Sequence, residues 1–517
     1  CRVQETSSLH PLDLEDKPQL VQACGAVLTY LTQTQKQELS HLGSFSPLDP
    51  SRHLILDEAT ERNLEIFRRL DGEKGQGTLW HVLDETVTPM GGRLLQKRLK
   101  QPYRDLKPIQ STQEAVAYFL ERGETTLALR QALDSVFDLE RLCTRITLQR
   151  STPRDFQALR SSLQGLPELY RVLDPQDKGQ DQGLPREIRR TILAWDSLED
   201  VADLLQRSLV DHPPQLITEG GLFRQGYSQE LDQLLELAEH GEAKLSEILA
   251  REQEEHGLPK LKLGYNRVFG YYFELSRAQK GSVPEHFIRR QTLVNAERYV
   301  TEELKQLEER IFQSSEKRKS QEQDLFHDLR NRVLEAAQRI RAMAQQVASL
   351  DLWQCLAEAA RKREWVRPGV HSGIEMDIVQ GRHPAVEDSL GPSNYIPNDI
   401  RLDRDKRIAL ITGPNMAGKS TVLRQAAIIS ILAQMGSFVP AERADMGICD
   451  RIFTRVGATD NLTRGQSTFM LEMIETARIL RQAGKRSLLI LDEIGRGTST
   501  FDGLSLAWAI VEDLARK

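Results

Sequence analysis

From Glu285 to Arg367 the chain contains neither glycine nor proline, the longest such stretch in its 517 residues. Within it Leu325, Leu329, Val333, Ala336, Ile340, Met343, Val347 and Leu350 recur three or four residues apart. That spacing predicts an amphipathic helix with one apolar seam. If about 60 of these residues are helical, the rod is roughly 90 Å long. A seam on so long a rod has to be covered by a partner. Tyr227 to His256, with no proline and only Gly241, can supply part of a second helix. A plain packed helix would carry the same seam; only the length favours a projecting arm.

Between the two helical stretches the pattern changes. Tyr265, Val268, Tyr271, Tyr272, Phe273 and Leu275 favour strands, and Gly264, Asn266, Gly270, Gly281 and Pro284 favour turns. The segment from Gly257 to Val300 is also basic. Lys260, Lys262, Arg267, Arg277, Lys280, Arg289, Arg290 and Arg298 stand against Glu274, Glu285 and Glu297, a net +5 in a chain of net −6. Two readings stay open here: a solvated charged face, or a surface that meets a phosphate backbone.

Downstream, Gly413-Pro414-Asn415-Met416-Ala417-Gly418-Lys419-Ser420 matches G-x-x-x-x-G-K-[ST]. Ile408 to Ile411 ahead of it reads as a short buried strand, and Thr421 to Met435 after it as a helix. A glycine-rich loop entering a helix N-terminus aims backbone N–H groups at one anion. Lys419 adds a full positive charge near the outer phosphates of a nucleotide, and the Ser420 hydroxyl is a candidate ligand for Mg²⁺. Further on, the apolar run Ser487 to Leu491 ends in Asp492-Glu493. Alone, that pattern is usually a strand with a solvated end. Opposite a phosphate loop, Asp492 is a candidate Mg²⁺ ligand, and Glu493 a candidate base for the attacking water.

The rest of the chain sets limits. Its length suggests three or four domains. The net charge gives no global field for nucleic acid, so any such contact is local. Cys1, Cys24, Cys143, Cys355 and Cys449 are scattered without a C-x-x-C, which fits reduced thiols in a cytosolic protein. No apolar run approaches the roughly 20 residues of a membrane span. Gln19 to Leu42 reads as a helix interrupted at Gly25, and Leu54 to about Ala250 is mainly helical. In Glu124 to Thr152, Leu129, Leu133, Val136, Leu139 and Leu142 form a core stripe. Clusters at Gly165 to Pro185 and Pro213 to Gly226 are expected to break helices.

Together these residues resemble the MutS family of DNA mismatch-repair ATPases, in its bacterial branch. The resemblance is carried by Thr412 to Thr421, Asp450 to Ala458, Gly465 to Met470 and Asp492 to Thr500. Arg289 to Leu293 and Asn295 to Tyr299 resemble the family's DNA clamp, and Ala23 to Leu42 the end of its connector domain. The fold it implies is multidomain and mainly α. It has an α/β P-loop ATPase domain of ABC type and long helical levers carrying a small β-containing clamp. The implied segments are 1–45, end of the connector; 46–240, first part of the lever; 241–300, clamp; 301–367, returning helix; and 368–517, ATPase domain.

The resemblance also implies roles. Gly413, Pro414, Asn415, Met416, Ala417, Gly418, Lys419, Ser420 and Thr421 would wrap the phosphates of ATP or ADP. Ser420 and Asp492 would organise Mg²⁺, and Glu493 would act on water. Tyr395 would meet the adenine, and Ser467 the γ-phosphate bound by a second subunit. Lys262, Arg267, Arg289 and Arg290 would contact duplex DNA. Implied partners are double-stranded DNA, a second copy of the chain and a MutL-type repair protein, in the bacterial cytoplasm at the nucleoid. Against the family pattern, the mismatch-reading domain with its Phe-x-Glu wedge is expected to be absent. The next strand, the switch histidine and the helix-turn-helix are expected beyond Lys517. Ala417 stands where many members have Gly. Two other functions fit some of these features: a MutS-like paralogue acting on recombination junctions, and an ABC-type ATPase that holds DNA with long coiled coils. The arm here is short for the latter.

Overall fold

A computed structural model of the chain describes residues 16–35, 49–173, 183–266, 270–276, 283–414, 418–456, 468–495 and 498–516. The protein is mainly helical, with three small sheets among the described residues. The chain divides into two compact units. One comprises Cys1–Asp138, Gly165–Ser197 and Ala342–Lys517, and the other Leu139–Gln164 and Leu198–Arg341. The strands are β1 (Ile55–Leu56), β2 (Lys262–Asn266), β3 (Gly270–Ser276), β4 (Ile288–Thr292), β5 (Ala296–Val300), β6 (Gly369–His371), β7 (Met376–Gly381), β8 (Asn398–Leu402), β9 (Arg443–Gly447), β10 (Arg451–Arg455) and β11 (Ser487–Leu491).

The second unit contains the two-helix arm. An outgoing helix, Gln229–Glu255, packs along a return helix, Glu302–Glu335. Gly241 explains how closely they meet: a Cβ there would lie 2.6 Å from Ile311 Cγ1. Mid-helix glycine costs about 1 kcal/mol of propensity, and here the missing methyl admits the partner's side chain. Each helix starts on a hydroxyl cap. Ser228 Oγ accepts from the Leu231 N–H at 3.4 Å, and Thr301 Oγ1 from the Leu304 N–H at 3.2 Å. Glu302 and Glu303 add negative charge in the return helix's first turn.

Between the helices the chain forms an antiparallel sheet in the order β2-β3-β5-β4. Its apolar face joins both helices in one core. Leu245 and Ile248 come from the outgoing helix, Phe273, Leu275, Phe287 and Tyr299 from the sheet region, and Leu304 and Leu307 from the return helix. Phe273 and Phe287 stack with centroids 5.5 Å apart. The expected short strands at the end of a two-helix arm are therefore present.

The single rod is corrected. The helical stretch is broken at Ala336 (φ −89°, ψ 5°), whose N–H turns back to Val333 O at 3.1 Å, and a second helix runs Ala337–Arg363. The segments are about 50 Å and about 40 Å long. The seam survives the break: Leu329, Val333, Ala336, Ile340, Met343, Val347 and Leu350 are all buried. Periodicity reports the buried face and not the continuity of the axis. The Glu124–Thr152 stripe behaves likewise. Its five leucine and valine positions are buried, but they span two helices, Gly123–Asp134 and Leu139–Thr147, and the turn between them.

The helix break expected at Gly25 does not occur, and the one expected in Gly165 to Pro185 comes late, at Leu173, with the next helix starting at Arg186. The helix Pro18–Gln35 runs through Gly25. The helix Pro153–Leu173 runs through Gly165 and Pro167. In that helix Leu159, Leu163, Leu166, Leu169 and Leu173 are all buried, and burial of about 1.5–3 kcal/mol per side chain outweighs a single proline. Ile408 to Ile411 is a further correction. It lies in no strand or sheet, and Leu410 is 86% exposed. A strand needs a hydrogen-bonded neighbour, and among the described residues β11 pairs only with β10.

A buried carboxylate organises part of the first unit. Asp351, fully buried, accepts from the Val87 N–H (3.0 Å), the Thr88 N–H (2.7 Å), Thr88 Oγ1 (2.6 Å) and Gln354 Nε2 (2.6 Å). Burial raises its pKa above the ordinary aspartate value, and these hydrogen bonds oppose that rise. By accepting a hydrogen bond from the Thr88 hydroxyl it leaves that oxygen's lone pairs to the Gly91 N–H, capping the helix Pro89–Lys100. Asp351→Ala should strand two backbone donors and lower stability by roughly 2–6 kcal/mol. Chemical denaturation of the two proteins checks this, and equal midpoints would refute it.

Candidate functional site

The candidate phosphate loop leads into the helix Lys419–Gln434. Gly418 is its N-cap with φ 85°, a left-handed conformation that glycine adopts without strain. A cap without a side chain leaves the first N–H groups of the helix facing outward. The far half of the helix, Gln425 to Gln434, is wholly buried, so the N-terminus is held rigidly. Lys419 Nζ donates to Gly413 O (2.5 Å) and Pro414 O (3.0 Å), folding its charge onto the loop's own carbonyls.

Ser420 Oγ donates to Asp492 Oδ2 at 2.5 Å. The two residues are 72 positions apart in sequence, and both are candidate metal ligands. A hydroxyl and a buried carboxylate oxygen, both hard donors, therefore meet at the start of the helix, one residue after Lys419. That donor set suits Mg²⁺, which takes few protein ligands and keeps water. Glu493 follows at φ 50° with its side chain exposed. Left-handed backbone is uncommon for a residue other than glycine and costs of order 1 kcal/mol. Here it turns the chain at the end of β11.

The neighbours of this turn are not legible in the sequence. Asp492 N–H donates to Arg455 O at 2.7 Å, extending the β10–β11 ladder by one residue. Gly495 N–H donates to the buried Glu472 carboxylate at 2.5 Å. Gly495 also lies against Gly503, where a Cβ would sit 2.7 Å from the Gly503 Cα. Glu472, on the helix Thr468–Gln482, lies 3.8 Å from the buried Arg455 guanidinium, which also pairs with Glu475 at 3.3 Å. The turn after Asp492 is thus tied to the helix that follows Ser467. Ser467 itself, with Asn415, Met416, Ala417 and Arg267, lies outside the described residues.

Residues far upstream complete the frame. β1 pairs in parallel with β10. Thr60 Oγ1 donates to Ile452 O, Asn63 Nδ2 donates to Thr454 O, and Arg424 on the candidate phosphate helix pairs with Glu65 at 3.3 Å. Nothing in the periodicity of residues 54–66 signals this docking.

Tyr395 is half-buried, and its hydroxyl donates to Gln425 Oε1 at 3.0 Å. Gln425 lies six residues along the helix from Lys419, about 9 Å of rise. Burial raises the Tyr395 phenol's pKa. His383 lies close by, its Nδ1 accepting from the Val386 N–H at the start of the helix Pro384–Leu390. Burial, then the Arg424 charge, push its pKa down to about 4.

In the second unit, the basic residues sit on the sheet. β4 carries a bulge between Arg289 and Gln291, so Arg290 is the extra residue in the ladder with β5. In a regular strand successive side chains face opposite ways. The bulge breaks that alternation, and Arg289 and Arg290 are both exposed. Lys262 on β2 is exposed as well. Arg298 is different. It lies over the Tyr272 ring at 4.3 Å and pairs with Glu274 at 3.1 Å, so it braces the sheet. Arg289 lies 3.9 Å from the buried Glu297, which accepts from the Tyr299 hydroxyl at 2.5 Å.

A pH dependence follows from His383. The unfolded chain takes up the imidazole proton near 6.5 and the folded chain only near 4. The site's contribution is whole above about pH 6.5 and declines as the pH falls toward 4, by about 3 kcal/mol in total. His383→Asn, which keeps a capping group and does not titrate, should flatten that part of the stability profile. A thermal or denaturant series across this range measures it, and an unchanged slope would count against the assignment.

Residues 59–357 match the family described as MutS domain III, and residues 409–517 match MutS domain V. The chain is 60% identical over 526 residues to the DNA mismatch repair protein MutS of Nitratidesulfovibrio vulgaris strain Hildenborough, covering 100% of the chain and 58% of that relative. It is 59% identical over 524 residues to its counterpart in Oleidesulfovibrio alaskensis, covering 99% and 58%. With that of Salinibacter ruber it shares 45% over 512 residues, covering 99% and 56%. The chain thus spans a little over half the length of these relatives. No helix among the described residues is long and apolar enough to cross a membrane. With a domain III match running through the arm and its sheet and a domain V match over the loop and acidic turn, the chain belongs to the MutS family.

Proposed function

We propose that this chain is the part of a DNA mismatch-repair ATPase that binds and hydrolyses ATP and grips duplex DNA. The observation that carries the reading is the Ser420–Asp492 contact at 2.5 Å beside Lys419. It brings a hydroxyl, a carboxylate and an ammonium to one helix N-terminus, the group a Mg²⁺–nucleotide requires. On this reading the P-loop region is an ABC-type ATPase domain. Gly413 to Thr421 wrap the phosphates and Tyr395 approaches the adenine. Ser420 and Asp492 hold Mg²⁺, and Glu493 takes the proton of the attacking water. When nucleotide enters, its phosphates displace the Gly413 and Pro414 carbonyls from Lys419. Ser467, immediately before the helix Thr468–Gln482, meets the γ-phosphate of a second copy. The basic sheet holds the DNA backbone, and ATP binding and hydrolysis switch the state of the clamp. A second subunit and a MutL-type protein are the expected partners, in the bacterial cytoplasm.

Two substitutions separate binding from chemistry. Lys419→Ala should weaken ATP binding in a nucleotide titration. Glu493→Gln should keep binding and lose most single-turnover hydrolysis, because an amide cannot take the proton. The hydrolysis assay uses a version of the chain extended to the length of its relatives. Unchanged affinity in the first variant, or unchanged hydrolysis in the second, would overturn the assigned role.

DNA binding by the sheet should run through phosphates and not through bases. Arg289→Glu together with Arg290→Glu should weaken duplex binding by this chain. The slope of log affinity against log salt should become shallower by about 2, one for each phosphate that an arginine neutralises. Matched and mismatched duplexes should bind alike. Salt-independent binding, or a clear preference for a mismatch, would count against this reading.

A further inference from the structure

A second cluster of ligating groups lies where the outgoing helix meets the sheet. Glu252, on that helix, is only 5% exposed along its side chain. His256 is the helix C-cap, one turn later, and its Nε2 lies 3.5 Å from Glu252 Oε2. His286 comes from the turn that enters β4, and its Nε2 lies 3.1 and 3.2 Å from the two Glu252 oxygens. All three ligand atoms lie within 4.8 Å of one another. The His286 ring is set edge-on against Phe287 at 5.0 Å, and Phe287 belongs to the sheet core. Two imidazole Nε2 atoms from different segments thus converge on one buried carboxylate.

The spacing fits a metal. Zn²⁺ binds histidine nitrogen and carboxylate oxygen at about 2.0–2.2 Å, so neighbouring ligands of a tetrahedron are about 3.3–3.6 Å apart. The nitrogen–oxygen separations here are 3.1–3.5 Å. The widest separation, at most 4.8 Å, closes with about 1.5 Å of ring movement. The rings can supply that movement, with side-chain exposures of 34% for His256 and 47% for His286. Arg251 is the nearby opposing charge, 3.8 Å from Glu252, but its guanidinium is drawn to Glu303 on the return helix.

We propose that Glu252, His256 and His286 form a site for a borderline divalent cation of the zinc class, with water completing the coordination. The cation ties the end of the outgoing helix to the entry of β4, three residues before the exposed arginine pair. Imidazole donors select Zn²⁺, Co²⁺ or Ni²⁺ over Mg²⁺ and Ca²⁺, which take oxygen. The site is therefore chemically distinct from the Ser420–Asp492 pair.

The test is a titration of the reduced, metal-free chain with Co²⁺, read in visible absorption and followed by displacement with Zn²⁺. One equivalent should give a d–d band without a thiolate charge-transfer band, and excess Mg²⁺ should not remove it. His286→Ala and His256→Ala should each abolish the band while the far-ultraviolet circular dichroism stays unchanged. As a second readout, Zn²⁺ should raise the Tm of the parent chain and not of either variant. No band in the parent chain, a band that survives both variants, or a thiolate charge-transfer band would overturn the proposal and leave the cluster as hydrogen bonds only.

Discussion

The short parallel ladder around β10 is the constraint on which the candidate nucleotide site depends. β10 is a central strand, paired with β1 on one side and β11 on the other. Its residues Ile452, Phe453, Thr454 and Arg455 are all buried, so its backbone groups must be satisfied within the sheet. Satisfying them sets the height at which β11 ends. The Asp492 N–H reaches Arg455 O, and the carboxylate above it reaches Ser420. The same strand presents Thr454 to Asn63 and Arg455 to Glu472 and Glu475. A change of one residue in its register would turn Asp492 away from the helix N-terminus.

Arg455 shows how charge is managed in so buried a place. It is 4% exposed, as is consistent with a guanidinium only if carboxylates answer it. Glu472 and Glu475 do so, and Glu472 also accepts from Gly495. One buried ion pair therefore joins β10, the helix after Ser467 and the turn after Asp492. Its value lies in orientation more than in net stability, since desolvation offsets much of the attraction.

The second unit solves a different problem. A small four-stranded sheet has an apolar face that must be covered. It becomes stable by sharing a core with the ends of two helices, through Leu245 and Ile248 on one and Leu304 and Leu307 on the other. That arrangement leaves most of the edge strand β4 exposed, Arg289, Arg290 and Thr292 included. The bulge at Arg290 then converts an alternating strand into one that shows two adjacent cations. Tyr272 occupies the space that Gly264 leaves on the neighbouring strand and carries the Arg298 guanidinium over its ring.

Much of this is legible in the residues. The loop from Gly413 to Ser420, the strand ending at Asp492, the apolar seam and the strand-rich basic segment are local patterns, set by chemistry within a few residues of chain. Local patterns determine which face of an element is buried and which groups stand at its end. They do not determine where an element stops when packing outweighs propensity, so neither the helix through Gly165 and Pro167 nor the break at Ala336 can be read from them. Nor do they say which distant segments meet. The docking of Thr60, Asn63 and Glu65 on the β10 frame, the Arg455–Glu472 pair and the convergence of His286 on Glu252 join residues from 17 to nearly 400 positions apart. Ile408 to Ile411 marks the same limit from the other side. Its side chains favour a strand, but a strand exists only where another backbone lies beside it, and tertiary structure alone supplies that neighbour.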